Sequence, residues 1–342
     1  MAVVKFWAPF GFLALVPVGA SFGGVWAFLL LPVMPLALVG LDLLLGEDAV
    51  ADASTAFARY RLLPWLYVPA QLGVIVWAGV VVSRPSTPLV ESVGLALSCG
   101  LTAGVFGFLA AHEMVHSRHA AERAYGLVML AGVLYLPFAI AHLVGHHRRA
   151  ATHDDPASAR RGESVYAFLV RSVAGQTREA WAHEAARLRR AGRPAVSLGN
   201  RMLLFAGAEI AIVAATGAFS ARSLGFFLAQ AALAIVLLEL FNYIAHYGLQ
   251  RRRRPDGQIE RLGPQHSWNS ARRMNNCALF NMGRHADHHR FSARPYHRLE
   301  TVEGGAELPS GYAAAILLAL IPPLWRRVMD PRVDRAMSAL IG

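Results

Sequence analysis

Six long runs of apolar residues decide what this chain can become. They cover about 7–22, 24–45, 62–82, 88–111, 202–221 and 223–245, and most reach the ~20 residues a helix needs to cross a bilayer. Hydrocarbon offers no partner to a backbone N–H or C=O, so a spanning segment must satisfy its own, as a helix does. Composition agrees: 16% of the 342 residues are charged, against about 25% in an average soluble domain. The expected fold is an all-α integral membrane protein with about six transmembrane helices, forming one membrane-embedded domain over 1–342. The first run somewhat resembles a signal peptide, but a second run follows directly and no small-x-small site separates them. Trp7–Phe22 is therefore read as a retained helix of a hairpin turning at Gly23-Gly24.

Charge sets the expected orientation. Segment 143–201 holds eleven Arg against five acidic residues, and 250–300 holds eleven Arg against four. The connections near 23, 83–88 and 222 carry almost none. Segments 112–201 and 246–342 are therefore expected on the cytoplasmic side. The net charge of +11 is explained by that topology, and no recognition module points to nucleic acid. Cys99 and Cys277 form no CxxC, which argues against a disulfide framework or a cysteine-held metal.

Histidine is the unusual residue. Of fourteen, nine fall in four clusters: His112 and His116 in AAHEMVHSRH, His142, His146 and His147 in AHLVGHHRRA, His246 in NYIAHYGLQ, and His285, His288 and His289 in GRHADHH. The fourth and sixth runs travel the same way, so their ends place His112 and His246 at one face. Between His116 and His142 lies Tyr125–Ala141, 17 apolar residues at the lower limit for a span. It is read as interfacial or re-entrant, which keeps all nine histidines together.

The spacings suit metal binding. His112 and His116 stand at i and i+4, which share a helix face, and so do His142 and His146, with His147 expected on another side. His285, His288 and His289 stand at i, i+3 and i+4. Neutral imidazole ligates Zn, Cu, Fe or Ni. Nine exceed the needs of one ion, so two metals sharing one histidine-rich site is the economical reading. HEMVH is also H-E-x-x-H, the zinc-peptidase pattern, but a peptidase needs one further protein ligand and leaves the other histidines unexplained.

HEMVH, HLVGHHRRAATHDDPASARRGES, NYIAHYGL, QHSWNS and GRHADHHRFSARPYHRL stand in the order seen in membrane-bound alkane 1-monooxygenases. The chain resembles that family again at VGLDLLLGED and LPSGYAAAILLALIPPLWRRVMDPRV, so the resemblance runs over about 35–335. Fatty acid desaturases share the histidine boxes but not HYGL, and relatives acting on aromatic methyl groups share it. The resemblance implies a non-haem diiron centre of two Fe ions with His112, His116, His142, His146, His147, His246, His285, His288 and His289 as ligands. It implies dioxygen as co-substrate and hydroxylation of a terminal or methyl carbon of a hydrophobic substrate drawn from the bilayer, with a fatty acyl desaturase as the alternative. This sequence departs from the family at Ala141 and Ala245, where Glu is usual, and at Gly283 and Ala286 around the third box.

Such chemistry needs two electrons, and the chain has no Rossmann fingerprint, no iron–sulfur cysteines and no haem motif. The resemblance implies rubredoxin or a ferredoxin as donor, with a NAD(P)H-dependent reductase behind it, in a bacterial inner (cytoplasmic) membrane with the site facing the cytoplasm. A basic face would suit an acidic carrier, and membrane lipids are the other partner of those arginines. Glu113 and Asp287, embedded between ligands, are the candidate catalytic carboxylates, ahead of Asp154, Asp155 and Asn242. His119 is a weaker neighbour of the first box. Glu239 and Glu209 lie inside spans, so they should face the protein interior. Trp26, Leu30, Phe106 and Phe241 are candidate pocket residues.

Overall fold

The computed structural model describes residues 2–48 and 57–338. Six of its helices are long and apolar enough to cross a membrane: α1 (Val3–Ser21), α2 (Gly24–Leu45), α3 (Ala58–Ser83), α4 (Leu89–Val115), α7 (Arg201–Phe219) and α8 (Ala221–His246). Between them lie α5 (Ala120–Ala131) and the amphipathic α6 (Val165–Arg190), and beyond them α9 (Arg273–Ala278), α10 (His285–Arg290), α11 (Tyr312–Ala319) and α12 (Pro322–Ser338). Among the described residues the only sheet is a parallel pair, Trp268–Asn269 with Ala306–Glu307. The hairpin between α1 and α2 turns at Gly23 and Gly24, both at positive φ, a conformation glycine adopts without Cβ strain.

The spans match the apolar runs to within a few residues, with one consequence. α4 extends to Val115 and α8 to His246, so His112 and His246 occupy the last turns of spanning helices. Hydropathy falls before the hydrogen-bond ladder stops, because imidazoles at a helix end can face the protein.

α4 and α8 lie against each other because α4 presents glycine. A Cβ at Gly104 would stand 2.7 Å from the Ala234 Cα, and one at Gly100 would stand 2.8 Å from the Gln230 carbonyl oxygen. This small-xxx-small spacing lets two backbones meet where lipid gives no hydrophobic drive for helix association. The contact holds the His112 and His246 ends side by side.

Tyr125–Ala141 does not form a span. α5 runs for 12 residues, and the chain then reverses through Leu134, at φ 54°, before helical 138–149. Two carboxylates inside spans hold this reversal: Tyr135 donates from its hydroxyl to Glu239 at 2.9 Å, and the Leu136 N–H donates to Glu209 at 2.8 Å. Glu239 also accepts from Ser172 and Gln176 of α6. Both costly carboxylates are thereby satisfied by the re-entrant turn, as an acid in a bilayer must be.

Replacing Gly104 with Val should open the α4–α8 contact and cost about 1–3 kcal/mol, read as a lower unfolding midpoint in detergent. The same change at Gly207, where a Cβ meets nothing within 4 Å, should leave the midpoint unchanged.

Candidate metal centre

The nine clustered histidines come from four elements and resolve into two groups. His112, His116, His142, His147 and His288 form one, and His146, His246, His285 and His289 the other. Within each, one ring nitrogen per residue lies within 4.8 Å of all the others. In the first, the His142 Nε2 is 2.9 Å from those of His112 and His116 and 3.0 Å from that of His147. In the second, the Nε2 atoms of His246, His285 and His289 form a triangle with sides of 3.0–3.2 Å. The groups abut, with the His147 and His289 ring centres 4.7 Å apart.

Which histidine joins which group follows from helix pitch. Residues 141–146 form a π-helical turn, whose i→i+5 bonding is wider than an α-turn. That pitch aligns His142 with His147, five residues on, and rotates His146 to the second group. The α-helical expectation, which paired His142 with His146 and sent His147 elsewhere, is corrected on this point. α10 keeps α-pitch, so His285 and His289 share the second group while His288 reaches the first. Non-glycine residues at positive φ stand just before or after these boxes: Leu134, Ala151, Phe280 and Asn281. Strained backbone of this kind gathers where side chains must be aimed.

The donor set fits cations. A neutral imidazole has one N–H and one lone pair, so three Nε2 atoms around a common centre cannot all hydrogen-bond one another. Lone pairs converging at about 3 Å match the ligand-to-ligand spacing around an ion with bonds of about 2.0–2.2 Å. The Nε2 atoms of His146 and His288 are buried without a hydrogen-bond partner among the described residues. Burial, followed by the neighbouring imidazoles, lowers the pKa of His116, His142, His285, His288 and His289 well below 6.5. His147 is lowered by the same causes, with Asp155 opposing. Each is therefore held in its ligand form.

Asp155 supplies the closest carboxylate support. Its Oδ2 lies 2.8 Å from the His146 Nδ1, fixing the ring so that Nε2 faces the group. Ser158 donates to the same carboxylate at 2.6 Å, and the Ala157 N–H donates at 3.1 Å. His246 is oriented by the His266 carbonyl oxygen, 3.2 Å from its Nδ1, a partner invisible in spacing because it is main chain. Asp154 is exposed.

The two carboxylates ranked highest on sequence sit differently. Glu113 accepts the Tyr296 N–H at 3.2 Å and lines a pocket behind His116. Asp287 pairs with Arg294 at 2.8 Å and accepts the Glu300 N–H. Each braces the segment after the third box, and adjacency in sequence was a poor guide because neighbouring residues on a helix face apart. His119 is exposed, because α4 ends before it and the helix face it would share with His116 is broken. Ala141 packs with Ile140, Ala180 and Met202, so the side chain at that family position faces α6 rather than the imidazoles. Gly283 is fixed sterically: a Cβ there would stand 2.7 Å from the Ser270 carbonyl oxygen.

An apolar cavity of about 460 Å³ ends on the histidines. His112, His142 and His285 close its inner end beside Asn242, while Leu31, Leu97 and Leu320 line it farther along the spans. Phe138 lines the cavity and stacks on His142 at 4.6 Å. Of the four candidates named on sequence, Phe241 lines the cavity. Phe106 is instead buried against Phe12, Leu30 is buried in the core, and Trp26 is exposed. Sequence shows that a span is apolar but not which of its faces looks inward.

Comparison with known proteins gives one answer. The family model described as fatty acid desaturase matches residues 88–315. Alkane 1-monooxygenase 1 of Pseudomonas aeruginosa is 41% identical over 321 residues, covering 90% of this chain and 83% of its own. The alkane 1-monooxygenase of Acinetobacter baylyi is 37% identical, covering 86% and 73%. The xylene/toluene monooxygenase hydroxylase component XylM of Pseudomonas putida is 30% identical, covering 90% and 82%.

Removing the Asp155 carboxylate as Asp155→Ala should weaken metal affinity about 10–100-fold, measured by competition with a chelator. A pH series tests the imidazole environment. Each His with a lowered folded pKa contributes its full stability above the ordinary value of 6.5, where both states are neutral. As pH falls below 6.5 the unfolded chain takes up protons that the folded one refuses, and stability is lost. The metal-free protein should therefore unfold at lower temperature at pH 5 than at pH 7.5, and a flat profile would contradict these surroundings.

Proposed function

The chain belongs to the membrane-bound alkane monooxygenases of the fatty acid desaturase family, and from that premise we propose that its two histidine groups hold two iron ions. The enzyme is an oxidoreductase of the monooxygenase type in an integral membrane protein. The proposed reaction is hydroxylation of a terminal or methyl carbon of an alkane-like substrate, with dioxygen and two electrons from an external carrier. Rubredoxin or a ferredoxin, served by a NAD(P)H-dependent reductase, is the proposed donor. The basic segments 112–201 and 246–342 support a cytoplasmic site in an inner membrane. The observation that carries the reading is the apolar cavity ending on both histidine groups, through His112 and His142 of one and His285 of the other.

Two irons held by the two histidine groups would supply, with dioxygen, the oxidant that an unactivated C–H bond requires. The chain's own part is placement. The cavity accepts an extended hydrocarbon from between the spans and keeps water from it. Phe138, Asn242 and the imidazoles line its inner end, so a hydrocarbon entering from between the spans presents its end to the metals. Asp155 and the His266 carbonyl oxygen hold His146 and His246 in fixed tautomers, and such partners tune a metal as well as orienting its ligands. In this assignment Glu113 and Asp287 act by position: Glu113 fixes Tyr296 and Asp287 fixes Arg294 beside the third box.

The family model leaves one specific alternative, desaturation. Purified protein supplied with labelled dioxygen, an alkane and reductant should yield a primary alcohol carrying one labelled oxygen atom. An alkene without label would assign the alternative. Narrowing the cavity with Leu101→Trp should shift the longest accepted substrate downward while metal content stays unchanged.

A further inference from the structure

We propose that the pocket behind His116 is the route by which water and protons pass between the surface and the centre, separate from the apolar route of the substrate. The inference rests on the monooxygenase reading. In that reaction RH, O2, two electrons from the carrier and two protons give ROH and H2O, so each turnover consumes two protons and releases one water. The substrate cavity is walled by leucine, valine and phenylalanine along the spans, where a proton or a water finds no partner.

The second pocket is mixed: charged and hydroxyl side chains share its wall with Pro64, Trp65, Met114 and Tyr296. It has a volume of about 180 Å³, room for several waters. Its inner wall is His116, a member of the first histidine group, with Glu113 and Met114 beside it. Its rim is Arg61, Arg118 and His119 on one side and Ser292, Ala293 and Arg294 on the other. Arg61, Arg118, His119 and Ala293 are exposed, so the mouth meets solvent.

Ion pairs hold the rim. Arg61 is paired with Glu122, which accepts as well from Ser117 and from Trp65 at 3.1 Å. Arg294 is paired with Asp287 at 2.8 Å and Glu300 at 3.4 Å. These two guanidiniums are thereby held in fixed positions, and Arg118 is an exposed cation on the rim. The Ser117 hydroxyl, the Glu113 and Glu122 carboxylates and the guanidiniums put donors and acceptors on the pocket's lining, and a chain of ordered water needs such partners.

Thiol labelling tests the route without turnover. Ser117→Cys sits inside the pocket, and Leu101→Cys sits in the apolar cavity; both native cysteines are buried. A charged, water-soluble methanethiosulfonate should modify Ser117→Cys about tenfold faster than Leu101→Cys, since reaction requires an accessible thiolate. Plugging the mouth with Ala293→Trp, or independently Ser292→Trp, should slow labelling of Ser117→Cys, retain metal content and lower hydroxylation severalfold. Equal labelling of the two cysteines would overturn the proposal, as would a plug that blocks labelling without changing turnover. If wild-type protein holds no iron and makes no alcohol, the monooxygenase reading has failed, and the labelling result still reports whether water reaches His116.

Discussion

Nine imidazoles crowded together at contact distance are the constraint on which this structure depends. A single buried imidazole is easily accommodated, but nitrogens converging at about 3 Å satisfy one another poorly. Burial and mutual repulsion of the charged forms keep His142, His285 and His289 unprotonated, which leaves their lone pairs available to a cation. The rest of the fold brings four short stretches of chain to that one place and holds them there.

Two backbone devices do the holding. Gly100 and Gly104 bring α4 onto α8, so that two span ends deliver His112 and His246 together. The re-entrant turn between α5 and 138–149 then returns the chain to the same end. Its clamps are Glu239 and Glu209, carboxylates that would be intolerable facing lipid. At the end of the turn a π-helical stretch distributes His142, His146 and His147 between the groups. That division gives two separate groups, each of which could hold an ion, while the rings of His147 and His289 stay in contact.

Much of this was legible in the sequence because the bilayer restricts backbone choices so strongly. A run of some twenty apolar residues has one solution, and the six spans follow from length and composition. The nine histidines were legible because imidazole is rare and these cluster. Their partition was not, since spacing rules assume 3.6 residues per turn and 141–146 departs from it. Sequence adjacency favours Glu113 and Asp287 over Asp155, but adjacency along a helix is not contact. Asp155 reaches His146 across a turn stabilised by Ser158, and no periodicity signals that. The pocket residues were least legible: Phe106 and Phe241 have identical chemistry, and only helix rotation buries one and turns the other into the cavity.

The central claim is that the five-histidine and four-histidine groups each hold one iron. Metal analysis of the purified protein beside His288→Ala and His285→Ala variants tests it most directly. The account predicts about two irons per chain, with each variant losing metal from its own group first and retaining the other. A single zinc held by His112 and His116, and indifferent to both substitutions, would contradict it.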